Sequence, residues 1–202
     1  MSQPPQVSSA HIGFYPSFGA YLSFYETAVR RLFELLESGK ETPDSLALPM
    51  LALMRHSMEL GYKFSLWELH QALGEKFDTQ AYGHHDLAKL HAALCDCFKR
   101  TVAHYGLPDH VEQSFDEYRP KTEAAMQRFA ALDKLSFSFR YPFDKKTGGA
   151  NFVHQMTVDL AEIRDLYEQA MVLLRHTADV VGEYVEIHRD MEAEMHQWAG
   201  GW

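Results

Sequence analysis

Hydrophobic residues recur every three or four positions along most of this chain, the period of helices that bury one face. Between residues 17 and 36 the recurring positions are Phe18, Leu22, Tyr25, Val29, Leu32 and Leu36, and Gly39 stands where a helix would end. Thr42-Pro43-Asp44 opens a second helix, with Thr42 or Asp44 as its cap. Pro49 falls early enough in it to be tolerated or to mark a kink, and Gly74 closes it after Leu73. Its first half, from Leu46 through Met54, is apolar almost all round, as in a helix at the centre of a domain. A polar connection over 74–83 leads to a third helix from about His85, carrying Leu87, Leu90, Leu94, Phe98 and Val102 and ending near Gly106-Leu107-Pro108. Residues 109–133 repeat the pattern, with Pro120 expected to kink or split the helix. Residues 157–198 form a single long amphipathic pattern whose apolar face includes Ile163, Leu166, Met171, Leu174, Val181, Val185, Ile187 and Met195.

One segment departs from this period. Leu135-Ser136-Phe137-Ser138-Phe139-Arg140-Tyr141-Pro142 alternates apolar and polar as a strand does, and 144–149 has turn chemistry ending in Gly148-Gly149. The predicted fold class is therefore all-α, a helical bundle with one short extended or hairpin insertion near 135–150. Residues 1–10, polar and rich in Pro and Ser, read as a disordered tail. Residues 11–202 read as a single helical domain with a long C-terminal helix.

Composition supports a sizeable core, with 46% hydrophobic and 13% aromatic residues. No apolar run reaches the roughly 18 residues of a membrane span, and the N-terminus lacks the basic start and apolar stretch of a secretory signal. These features predict a cytoplasmic protein with no membrane partner. Cys95 and Cys97, two apart on a helix, point to different faces and cannot pair with each other. The formal charge is −9, and residues 157–198 hold ten acids against three arginines, so −7 of it sits there. That excludes a generally basic, nucleic-acid-coating surface but leaves room for a local basic cleft.

The candidate chemistry starts in the second helix. Glu59 lies one turn from both Arg55 and Lys63, and three positions from His56, so the four can form one ionic stripe. Charges on a central helix need partners, which makes the stripe either a structural network or the floor of a site. His85 and Asp86 are candidates to join it. His56, His85 and Asp86 also resemble the metal ligands of HD-domain phosphohydrolases, in which a divalent metal activates water against a phosphate ester. The other reading of Asp86 is a helix cap. No metal or other cofactor is required by the leading interpretation, and a divalent metal is its alternative. On the extended segment, Arg140 beside Tyr141, followed by Lys145, could grip a phosphate or stack on a base.

The stretch Leu53-Met54-Arg55-His56-Ser57-Met58-Glu59-Leu60-Gly61-Tyr62-Lys63, with Gly83-His84-His85-Asp86-Leu87-Ala88-Lys89-Leu90, resembles bacterial HEPN-like helical proteins. The resemblance covers roughly 46–94. It implies a helical bundle that dimerises, within a bacterial defence or toxin-like system acting on RNA or a nucleotide. In that family a metal-independent ribonuclease motif has Arg, four to six residues, then His on a late helix. Arg189 and His196 meet that spacing here. By resemblance His196 would handle the proton of the RNA 2′-hydroxyl and Arg189 would steady the phosphate. Glu186, Asp190, Glu192 and Glu194 surround the pair and would repel a phosphate backbone unless basic groups answer from a partner chain. Two alternatives stay open, a non-catalytic module that dimerises or binds a protein, and the HD-type phosphohydrolase.

Overall fold

The computed structural model describes residues 10, 12, 13, 16–133 and 137–199, with the side chains of His196 and Ala199 outside that description. The proposed N-terminal tail, apart from Ala10, lies outside the described residues. The architecture is all-helical: α1 (Phe18–Glu37), α2 (Pro43–Ala72), α3 (Leu87–Tyr105), α4 (Asp109–Leu132) and α5 (Leu160–Ala199). No helix among the described residues is long and apolar enough to cross a membrane.

Local chemistry sets the helix ends. Ser17, Thr42 and Asp86 accept backbone N–H groups at the starts of α1, α2 and α3, and Asp159 does the same ahead of α5. Gly39, Gly74 and Gly106 take left-handed backbone angles just past α1, α2 and α3, where a side chain would be strained. Pro120 neither splits nor ends α4, which runs unbroken through it. The position is exposed, so the carbonyl that proline leaves unbonded can turn to water.

α2 is the central helix. It packs against α1, α3 and α5, while α4 packs chiefly on α5. Met50, Met54, Met58, Leu66 and Leu69 of α2 are fully buried with Leu90 and Leu94 of α3, Phe129 of α4 and Leu174 of α5. Gly61 lets α2 approach α5 closely, since a Cβ there would stand 3.0 Å from Cβ of Leu174. Four residues on, the Ser65 hydroxyl donates to the carbonyl of Leu174 at 2.8 Å and pins the same crossing.

The alternating segment does not form a strand among the described residues. Leu135 and Ser136 lie outside them, and 138–140 form a turn. The reason is a competing acceptor: the Asp133 carboxylate takes the backbone N–H groups of Phe137 and Phe139, at 3.1 and 3.4 Å, which a ladder would have used. The expected hairpin is reduced to one isolated antiparallel bridge, Phe143 to Ala150, held by Asp144 N–H to Gly149 at 2.8 Å and Asn151 N–H to Pro142 at 2.9 Å.

Candidate functional site

The middle of α2 passes beneath the loop before α3 and the end of α4, and the ionic groups gather there. Glu59 is 2% exposed. The Lys63 ammonium donates to its Oε1 at 2.6 Å. Nδ1 of His85 lies 3.0 and 2.9 Å from its two oxygens. Nδ1 of His56 is 3.9 Å from Oε2, within ion-pair reach but beyond a hydrogen bond. Helical spacing delivers His56 and Lys63 to the carboxylate, and the loop before α3 delivers His85. Burial alone would raise the Glu59 carboxyl, but His56, Lys63 and His85 outweigh it and hold it down at about 2. The group is therefore ionised at neutral pH.

Arg55, 1% exposed, builds the wall of this cluster. Its Nε donates to the backbone carbonyl of Asp133 at 3.2 Å, and one terminal nitrogen donates to that of His85 at 2.9 Å. The guanidinium thus ties the His85 loop and the end of α4 to α2. Burial pushes Arg55 below its ordinary range, while the Asp133 and Glu59 carboxylates pull it back. Arg140 is near enough to lower it further, which brings that side chain into the electrostatic neighbourhood of the cluster.

The arrangement gives the neutral form of His85 a defined tautomer. An ionised carboxylate against Nδ1 keeps the proton on that nitrogen, an assignment inferred from the network. Nε2 then carries the lone pair. It makes no hydrogen bond among the described residues, and the side chain is 55% exposed. A carboxylate-oriented imidazole with a free, solvent-facing nitrogen can accept or return a proton at a bound ligand. His56 is held edge-on against the ring of Tyr25, 4.6 Å between centroids, and leaves about a third of its side chain open.

Other sequence candidates fall elsewhere. The Asp86 carboxylate caps α3, accepting from Ala88 and Lys89 N–H at 3.0 and 3.2 Å, so His56, His85 and Asp86 are not brought together as a ligand set. Among the described residues no three His, Cys, Asp or Glu side chains are grouped to hold a metal. Tyr141 stacks on Phe137 at 4.5 Å, and the Lys145 ammonium sits over both rings, at 5.3 Å from Phe137 and 5.6 Å from Tyr141. Arg189 is exposed and lines a shallow groove of about 160 Å³ with Glu68, Ala72 and Glu186. Ala72 is thirteen residues beyond Glu59 on α2, roughly 20 Å at 1.5 Å per residue, so Arg189 is remote from the cluster. The His196 side chain lies outside the described residues.

Sequence reasoning missed Asp133, and its one signal was an acid at a helix C-terminus, where the dipole disfavours it. It also missed two Tyr–His–Glu chains built on buried imidazoles. Tyr62 bonds to His91 at 3.1 Å, and His91 to Glu123 at 3.2 Å. Tyr82 bonds to His70 at 3.0 Å, and His70 Nδ1 lies 2.9 Å from Glu75, off the hydrogen-bonding direction. Both imidazoles are more than nine-tenths buried, and burial lowers His91. The first chain joins α2, α3 and α4, and the second ties α2 to the loop that follows it. The two cysteines are free, and burial pushes the Cys97 thiol up to about 11, which leaves it inert. No family model, curated protein or solved structure matches the chain.

Proposed function

We propose that the chain acts on RNA or a nucleotide at the Glu59 cluster, without a metal, with His85 as the proton-transfer group. The observation that carries this reading is the half-exposed imidazole of His85 held at 2.9 Å by an ionised, buried carboxylate. In RNA cleavage, Nε2 of His85 takes the proton of the 2′-hydroxyl as its oxygen bonds to phosphorus. The P–O5′ bond breaks, and the leaving 5′-oxygen takes a proton back from imidazolium. Arg140 supplies positive charge beside the cluster for the phosphate. Of the HD-type ligand candidates, Asp86 spends its carboxylate on the α3 cap and His85 turns Nδ1 to Glu59, which favours the metal-free reading.

This reading keeps the class of activity that the HEPN-like resemblance implies and moves it from Arg189 and His196 to Glu59 and His85. The groove at Arg189 is shared with Glu68 and Glu186, whose charge opposes a phosphate. The test is RNA cleavage in EDTA by wild type, His85→Ala and Arg189→Ala. Activity lost in His85→Ala and kept in Arg189→Ala is expected. A wild type inactive on RNA and nucleotides, or a fully active His85→Ala, overturns it.

A second reading is a non-catalytic module that dimerises or binds a protein. Arg55 favours it, because its two backbone bonds make the cluster a staple between loops. On that reading His85→Ala lowers the melting temperature, and no RNA binds.

A further inference from the structure

The C-terminal part of α5 runs past the body of the protein. Among the described side chains of α5, Val185 is the last buried one, and His188, edge-on to Tyr105 at 5.1 Å, makes the last ring contact back to α3. From Arg189 to Trp198 every described side chain is exposed, over roughly 15 Å of helix. That length is not uniformly polar. Ile187, Met191, Met195 and Trp198 are 50, 59, 65 and 82% exposed. They recur at helical spacing and form one narrow stripe on the length of α5 beyond Tyr184, whose hydroxyl is 2.9 Å from His110 of α4. A stripe of this kind gains nothing from water and is the usual seat of a second helix.

The charge beside the stripe selects the occupant. Residues 183–198 carry Glu183, Glu186, Asp190, Glu192 and Glu194 against the single Arg189, a net −4. At 100° per residue, Glu183, Asp190 and Glu194 run along one edge of the stripe. Two copies of α5 laid together would set −4 against −4 inside a Debye length. A helix with lysines or arginines along its flanks would turn the same edge into attraction and fix the register.

We propose that the Ile187–Trp198 stripe is the docking site for a basic amphipathic helix of a partner protein. The stripe is separate from the Glu59 cluster, so the proposal stands apart from the function assigned there. The probe is a labelled synthetic helix of about three heptads, with leucine and isoleucine on one face and lysines on its flanks. Its twin carries glutamates in place of the lysines. Fluorescence anisotropy with the full chain should show saturable binding of the lysine peptide, weakened by about tenfold or more in high salt. The twin should not bind, and Met191→Glu should abolish binding while leaving the circular dichroism spectrum and melting temperature unchanged. Failure of the lysine peptide to bind, or equal binding of the twin, overturns the proposal. So does light scattering at twice the 23.2 kDa chain mass that Met191→Glu returns to monomer, because the occupant is then a second copy.

Discussion

The middle of α2 and the end of α5 invert the usual distribution of residues. Around Glu59 the helix buries charge: Arg55, Glu59 and Lys63 are only 1, 2 and 8% exposed. Beyond His188, α5 exposes Met191, Met195 and Trp198. The first region is tolerable because every charge is answered: Lys63 and His85 bond to Glu59, and backbone carbonyls accept from Arg55. The second leaves apolar side chains in water, and it is the observation behind the proposed partner helix. A polar group inside is thus evidence about internal partners, and an apolar group outside is evidence about external ones.

The comparison predicts unequal responses to substitution. Glu59→Ala leaves positive charge buried without its counterion and should cost roughly 3–5 kcal/mol, read as a fall in denaturation midpoint. A melt within a degree or two of wild type would show that the cluster contributes little to the fold.

Acid sharpens the same point. The Glu59 carboxyl is lowered from an ordinary 4.5 to about 2. Its stabilisation is therefore complete above pH 4.5 and is lost as pH falls from there towards 2, and it amounts to roughly 3 kcal/mol. Denaturation of wild type and Glu59→Gln at pH 6 and pH 3 should show the gap between them narrowing at the lower pH. A gap that stays constant would mean that Glu59 is not held ionised by its neighbours.

Smaller effects are expected away from the charges. Gly61→Ala improves helix propensity by about 1 kcal/mol. It also drives a methyl to 3.0 Å from the Leu174 Cβ, which belongs to the helix opposite and cannot swing aside. Overpacking of roughly 1–3 kcal/mol should win, giving a modest net loss measured by urea denaturation. Smallest of all, Met191→Glu on the isolated chain should change stability by less than about 0.5 kcal/mol. A larger fall would show that α5 packs on something along this stripe.

Much of the fold was legible because it is local. Thr42 and Asp86 capped the helices they precede, Gly74 and Gly106 closed theirs, and the spacing of Arg55, His56, Glu59 and Lys63 placed them on one side of α2. His85 was legible as a companion of Glu59, although Asp86 beside it went to α3. What sequence did not reveal depends on contacts between distant segments. The Asp133 carbonyl meets Arg55 across 78 positions, and no periodicity reports that. The same residue kept the alternating segment out of a strand by capturing the N–H groups of Phe137 and Phe139, a choice between two acceptors that alternation cannot foresee. Tyr62, His91 and Glu123 come from three helices, so their chain was also out of reach.

The central claim is that the Glu59 cluster, and not the end of α5, meets the nucleic-acid or nucleotide ligand. The most direct measurement is an NMR titration of the histidine ring signals with a short single-stranded RNA and, separately, with a nucleotide. The account predicts saturable shifts in the rings of His56 and His85 with one of these ligands. His70 and His91, buried in their tyrosine–glutamate chains, should stay in place. Ring signals of His56 and His85 that do not move with either ligand, while His188 beside Arg189 does, would contradict it.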